Sequence, residues 1–398
     1  MINQEHKLLL SLVREAITGE PAALPETADW ERLTTLAQEH VLGAMVCDVL
    51  QRHPEAPADV VKALSGDYRY AIFRDTQMEH WRSLVGNALA SANIPHIFLR
   101  GICLKHDYPI PAMRTMTDID MLVRKEDLSK IRAAMLALGA TAKDGDGNHN
   151  NYMLPGNVEV ECHPMLIHGG SPIAAGINPG WQYAEKTQTA EHVLSEEGFY
   201  LNIMCHLAEH FAGGGVGVRF VADIWICRNR RKAQPDRSFV EKELHRFGLL
   251  EFARNIEALA EAWFGSGETT AILEEIGEYI LTSGSHGKAD RALLNAASLS
   301  KSGSGFSALL KKFYYPRQDL EVRFPWVRGR PWLLPVAWLV RLFRAVFRHR
   351  KQAASWGKNV FQTSREDVEE QRENLRRYGI SAKGKKKKET ESSYEAES

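Results

Sequence analysis

The sequence predicts an α+β fold in which a short run of strands is flanked by helical regions on both sides. Three observations lead there. Apolar residues recur at helical spacing over residues 5–92. Between positions 95 and 165 the pattern changes to short apolar runs and strict alternation, as strands require. From Phe199 the helical period returns and persists to about residue 350. Four regions follow: an N-terminal helical region over 1–93, an α/β core over 94–195, a C-terminal helical domain over 196–370, and a Lys-rich and acidic tail over 371–398.

With 398 residues, 44% hydrophobic and 25% charged, the chain has an ordinary globular composition and enough length to bury a large core. Lys plus Arg and Asp plus Glu both number 50, so no global charge favours nucleic acid. Cys47, Cys103, Cys162, Cys205 and Cys227 are odd in number and lack metal-ligand spacing. They read as reduced thiols of a cytoplasmic protein. The first residues show no signal-peptide layout, because charges interrupt their apolar stripe.

In chain order, Leu8, Leu9, Leu12 and Val13 form the stripe of a first helix, broken at 22–25. A second helix is predicted over about 29–51. A third begins near Ala58 and continues, with an interruption at Ser65–Gly66, to Ala92. Tyr68, Tyr70, Phe73, His80 and Trp81 make it rich in aromatic rings. It reads as a helical cap on the sheet, with a substrate-gripping role as the alternative.

Residues 96–123 carry the chemistry. An apolar run ends at Arg100-Gly101, and Asp118-Ile119-Asp120 then leads into Met121-Leu122-Val123. In an extended strand Asp118 and Asp120 share one face while Ile119 and Met121 point to the core. Two adjacent carboxylates repel and are costly to bury. A divalent cation removes that cost, and oxygen ligands suit magnesium. A solvated strand end is the competing reading. A helix follows over about 126–138, then a polar turn over 141–150. Asp144-Gly-Asp146-Gly-Asn148 matches the start of a calcium loop, but no Glu stands at the twelfth position, so hairpin chemistry is expected there. In the alternating run 157–165, Glu159, Glu161 and His163 share one face and Val158, Val160 and Cys162 the other.

In the C-terminal region Asn202, His206 and His210 form a polar stripe, with Ile203, Leu207 and Phe211 as the apolar one. A His-Glu-x-x-His zinc motif is absent. Gly213–Gly215 follows a helix and lacks the Gly-Lys-Ser/Thr ending of a phosphate loop. Arg219 and Asp223 lie one turn apart on the next helix. Helices continue over 228–350, with breaks at 265–267, 283–287 and 302–305, and with Arg228, Arg230, Arg231 and Lys232 as a basic, solvated helix end. Residues 331–340 are too short to cross a bilayer before Arg341 and Arg344 interrupt them. With Arg348 and Arg350 they make 331–350 a basic amphipathic segment, suited to docking on its own domain or to peripheral contact with an anionic membrane. The tail after about Gln371 loses apolar periodicity and is expected to be disordered.

Leu99-Arg100-Gly101, Leu104-Lys105, Tyr108-Pro109, Arg114 and Asp118-Ile119-Asp120-Met121-Leu122-Val123 together resemble the uncharacterised nucleotidyltransferase-like family of the polymerase-beta-type superfamily. The likeness extends over about residues 30–350 and includes a Trp-Leu-Leu-Pro-x-x-Trp segment at 332–338, which favours docking of 331–350 on its own domain. The resemblance implies a small mixed sheet flanked by helices, an NTP donor, and magnesium, or manganese in its place, held by Asp118 and Asp120. It implies a third carboxylate two residues before a His, which selects Glu161 with His163 and leaves Glu159 as the fallback. Glu161 would complete the metal set or serve as base toward the acceptor. Gly101 would let backbone N–H groups approach the triphosphate, and Arg100, Lys105 and Arg114 would neutralise it. His206, His210, Arg219 and Asp223 match the family in order and imply a supporting hydrogen-bonded network, with Arg219 within reach of phosphate.

This chain departs from better-characterised members in carrying Gly101-Ile102 where they have Gly-Ser. The first functional reading is nucleotidyl transfer from an NTP to a small-molecule, peptide, protein or RNA acceptor. Its alternative is a catalytically inactive nucleotide sensor or partner-binding protein. A third is a metal-dependent phosphohydrolase using the His-rich face.

Overall fold

The computed structural model describes residues 2–143, 150–167, 173, 175–285, 287–299, 324–327, 329–340 and 364–381. Helix α1 (Gln4–Thr18) starts at a capping box, in which the Asn3 side chain accepts from the His6 N–H, and stops at Gly19 with φ +83°. Helix α2 (Trp30–Glu39) is capped by Asp29 and is followed by α3 (Gly43–Leu50). The single helix expected over 29–51 is therefore two. Val41 adopts φ +57°, and His40 is held in the break by Val218 N–H donating to Nδ1 and by Nε2 donating to Leu281 O. These tertiary bonds outweigh the local helical pattern.

Helix α4 (Ala58–Ser91) runs without the interruption expected at Ser65–Gly66. Gly66 costs about 1 kcal/mol relative to Ala in a helix. Against that, Leu64, Ala71, Met78 and Val85 recur every seven residues and are all buried. Their burial fixes the helix across its weak point.

The strands are β1 (His96–Phe98), β2 (Asp118–Val123), β3 (Thr141–Lys143), β4 (Asn150–Leu154), β5 (Val158–His163), β6 (Ala184–Lys186) and β7 (Glu191–Leu194). They form a seven-stranded sheet in the order β3-β4-β5-β2-β1-β7-β6. It is mixed: β2–β5 and β1–β7 are parallel, and the remaining pairs are antiparallel. The short α5 (Gly101–Leu104) leads out of β1, and α6 (Leu128–Ala137) follows β2.

Strand alternation gives the sheet two different faces. Ile119, Met121, Val123, Val158, Val160 and Cys162 pack with Met78, Val85 and Leu89 of α4 and Ile131 and Met135 of α6. Ile97, Leu99 and Leu122 instead join the larger core with the C-terminal helices. The acidic side chains of β2 and β5 therefore open toward α7 (Glu196–Ala212) and α8 (Val218–Asn229).

Beyond these come α9 (Arg237–Phe247), α10 (Leu250–Phe264), α11 (Ala271–Leu281) and α12 (Ala289–Ser298). The triglycine turn after α7 makes room for backbone rather than ligand, since a Cβ on Gly287 would lie 2.8 Å from Gly214 C. Arg228 and Arg231 do not form a merely solvated helix end. Arg228 pairs with Glu257, and Arg231 with Glu196 and, at 2.8 Å, with Asp107. Helix α13 (Arg365–Arg377), opened by a Ser364–Asp367 capping box, passes through position 371, where the expected tail begins. Val368, Leu375, Tyr378 and Ile380 are buried, so ordered packing continues past that boundary. The loop at 144–148, the break at 302–305, residues 341–350 and the tail from 382 lie outside the described residues.

Candidate active site

The parallel register of β2 and β5 pairs Asp118 with Glu159 and Asp120 with Glu161. Four acids thus stand on one face of two adjacent strands. Glu159 is turned toward the sheet edge, where Lys143 Nζ donates to it at 2.8 Å and Asn151 Nδ2 at 3.1 Å. Asn151 Nδ2 also reaches Glu161 at 3.2 Å. Asp120, Glu161 and His163 bring one ligand atom each within 4.8 Å of one another, the spacing of a small cation site. Asp118 lies beside this trio on β2.

Asp120 is the anchored member. Arg100 Nη1 donates to its Oδ1 at 3.1 Å, and His163 Nε2 donates to the same oxygen at 2.7 Å. Burial alone would raise its pKa, but the Arg100 guanidinium and His163 outweigh that and hold it well below the usual carboxylate range. Its neighbours are less well compensated. Burial, then the Asp120 charge, pushes Asp118 up to about 6 despite Arg100, Arg219 and Arg114 nearby. Burial, then Asp120 and Asp118, pushes Glu161 up to about 7. A cation would relieve this excess of negative charge, and the oxygen-rich donor set would suit a hard divalent ion. His163 serves either as proton donor to Asp120 or, deprotonated at Nε2, as a nitrogen ligand.

Arg100 is placed by backbone strain. It sits at φ +53° and ψ −122° between β1 and α5, and Nη2 donates to Leu166 O at 3.0 Å. Gly101 is required for a reason the sequence does not reveal: a Cβ there would lie 2.5 Å from Arg114 Nη1. Arg114 is buried against Gly101 and forks onto Asp223 at 3.2 and 2.7 Å, while Tyr108 OH donates to Asp223 at 2.6 Å. Lys105 lies elsewhere. Its fully buried ammonium pairs with Asp75 at 2.5 Å and Glu79 at 2.6 Å, fastening the turn to α4.

Helix α7 roofs the acidic face. His206 stands near Arg100, Asp120 and His163; burial, then Arg100 and His210, keeps it neutral, well below the ordinary histidine range. The rings of His206 and His210 meet edge to face at 4.3 Å, both against Phe220, with His210 exposed. Arg219 Nη1 donates to Thr115 O, and burial followed by Arg114 lowers its pKa to about 10. The resemblance singled out His163, His206, His210, Arg219 and Asp223 as supporting residues; Asp223 belongs to the Arg114 pair and His163 to Asp120 itself.

Two further buried polar residues were given no role in the sequence reading. Arg74 of α4 is buried and donates to Thr117 O at 2.7 Å and Asn157 O at 3.0 Å, clamping the chain ahead of β2 to the turn ahead of β5. Nothing in the local pattern distinguishes it from other α4 arginines. Asn202, one turn before His206, is completely buried with neither amide atom hydrogen-bonded among the described residues. Its place on the polar stripe of α7 was the available signal.

The chain belongs to a family described as uncharacterised nucleotidyltransferases, whose model matches residues 26–265. Neither a curated protein nor a solved structure matches it.

Proposed function

We propose that the chain transfers a nucleotidyl group from an NTP to an acceptor hydroxyl, phosphate or amine, with magnesium at the face shared by β2 and β5. The observation that carries this reading is the register that sets Asp120 against Glu161, with Asp118 adjacent. Asp118, Asp120 and Glu161 would hold the cation, which when bound neutralises triphosphate charge and polarises the reacting phosphoryl group. Arg100 and His163 fix Asp120 and keep it ionised. Glu161 either completes the metal set or, where Asp118 and Asp120 hold the cation without it, takes the acceptor's proton. Arg219, whose buried Nε has no hydrogen-bond partner among the described residues, is suited to a phosphate oxygen. The free state of all five cysteines suits the cytoplasm. Among the described residues no helix is long and apolar enough to cross a membrane.

One observation favours the second reading, a nucleotide sensor without catalysis. The turn at Gly101-Ile102 lacks a hydroxyl, and Arg114 fills the space above Gly101. The deciding experiment titrates ATP, GTP, CTP and UTP with magnesium into wild type and Asp118→Ala/Asp120→Ala, and follows labelled NTP with an acceptor panel. Transfer requires magnesium-dependent binding and product formation, with product falling at least about 100-fold in the double variant. Nucleotide binding that survives Asp120→Asn while wild type makes no product would replace transfer by sensing.

A further inference from the structure

The segment ending in Val340 takes no part in the acidic site. Phe324, Val327 and Ala337 are buried in a small cluster of their own, with Leu334, Trp338 and Val340 packed against them. What this cluster leaves outside is apolar. Trp332 is 70% exposed, Leu339 63% and Val336 47%. Residues 334–340 are helical, so the spacing of 332, 336 and 339 puts these side chains along one side. Exposed large apolar side chains grouped in this way need a partner.

Charge indicates which partner. From Val322 to Ser364 the chain carries nine Lys or Arg and no Asp or Glu, although its overall net charge is zero. Arg330, beside Trp332, is exposed. A concentrated positive charge within an electrically neutral protein calls for an anionic surface. Phosphate-bearing RNA would use the arginines and stack on the tryptophan, but gains little from exposed Val336 and Leu339. A lipid interface uses all three, with tryptophan at headgroup depth, aliphatic groups below it and arginines among the lipid phosphates.

We infer that the 324–340 surface docks the protein on an anionic lipid bilayer as a peripheral, non-spanning contact. The apolar side chains insert, and exposed Arg330 beside Trp332 meets the headgroups. This inference is independent of the reaction at the acidic face.

Co-sedimentation of the full chain with vesicles tests it. One set contains phosphatidylcholine alone, the other about 30% phosphatidylserine. Wild type is expected to pellet with the serine-containing vesicles, progressively less as salt is raised, and to stay in solution with phosphatidylcholine. Trp332→Ser/Leu339→Ser is expected to lower the bound fraction about tenfold, with an unchanged Tm because both positions are exposed. Wild type that ignores anionic vesicles overturns the inference, as does a double variant that binds as wild type does. Tighter retention by polyuridylate RNA than by the vesicles overturns it in favour of nucleic acid.

Discussion

Asp120 accepts hydrogen bonds from Arg100 and His163, whereas Glu161 lies among other acids without an arginine of its own. The consequence is a definite pH dependence. Glu161 rises from an ordinary value of 4.5 to about 7 on folding, so the folded chain holds that proton more tightly than the unfolded chain does. Its contribution to stability is therefore fully present below pH 4.5 and is lost as pH rises through about 7. Glu161→Gln removes the penalty and is expected to raise Tm by about 2 °C at pH 8, with no gain at pH 4. Differential scanning calorimetry at the two pH values checks this; an equal gain at both assigns the effect to packing instead. The same crowding makes wild type the better cation binder. At pH 8, magnesium at about 100 times its Kd should stabilise wild type by about 2.7 kcal/mol, and Asp120→Ala should abolish the shift.

At the scale of elements, the turn from β1 into α5 is tied to α8 by one buried constellation, Gly101 beneath Arg114 and Arg114 forked on Asp223. Gly101→Ala forces the guanidinium away from its acceptor and is expected to cost about 1–3 kcal/mol. Asp223→Ala leaves both Arg114 and Tyr108 buried without that acceptor and is expected to cost about 3–5 kcal/mol. Urea denaturation measures both, and Asp223→Asn, which keeps one acceptor oxygen, should fall between Asp223→Ala and wild type. The family resemblance implied Arg100, Gly101, Lys105 and Arg114 as one phosphate-facing group. Their partners are not local: Lys105 meets Asp75 across 30 positions and Arg114 meets Asp223 across 109. Periodicity carries no information about which anion a cation will find at such separations. Within a strand it does, and the shared face of Asp118, Asp120, Glu161 and His163 was legible for that reason.

For the molecule as a whole, the division into helices, mixed sheet and helices could be read from the switch of period, because each period is imposed by burial on one side. The break between α2 and α3, the continuity of α4 and the reach of α13 could not. Each is decided by contacts with distant chain, and α13 shows this most clearly. Its apolar positions Val368 and Leu375 are seven residues apart in an otherwise polar helix, too thin a stripe to announce itself. In the fold they are supplemented by Tyr378, whose ring meets Phe211 and Tyr279 edge to face, by buried Ile380, and by Gln371 donating to Asn295 at 2.8 Å. This helix therefore closes the C-terminal helical layer behind α7 and α11. A chain ended after residue 381 keeps every buried residue described here and should keep the wild-type Tm within about 1 °C. One ended after residue 363 loses four buried apolar side chains, each worth at most about 1.5–3 kcal/mol. Its Tm should fall by at least about 5 °C, and Phe211 and Tyr279 should gain solvent exposure. Equal Tm values for the two truncations would mean that α13 lies on the fold without stabilising it. A loss of all cooperative unfolding in the shorter chain would make α13 part of the minimal folding unit, even though it lies beyond the 26–265 span matched by the family.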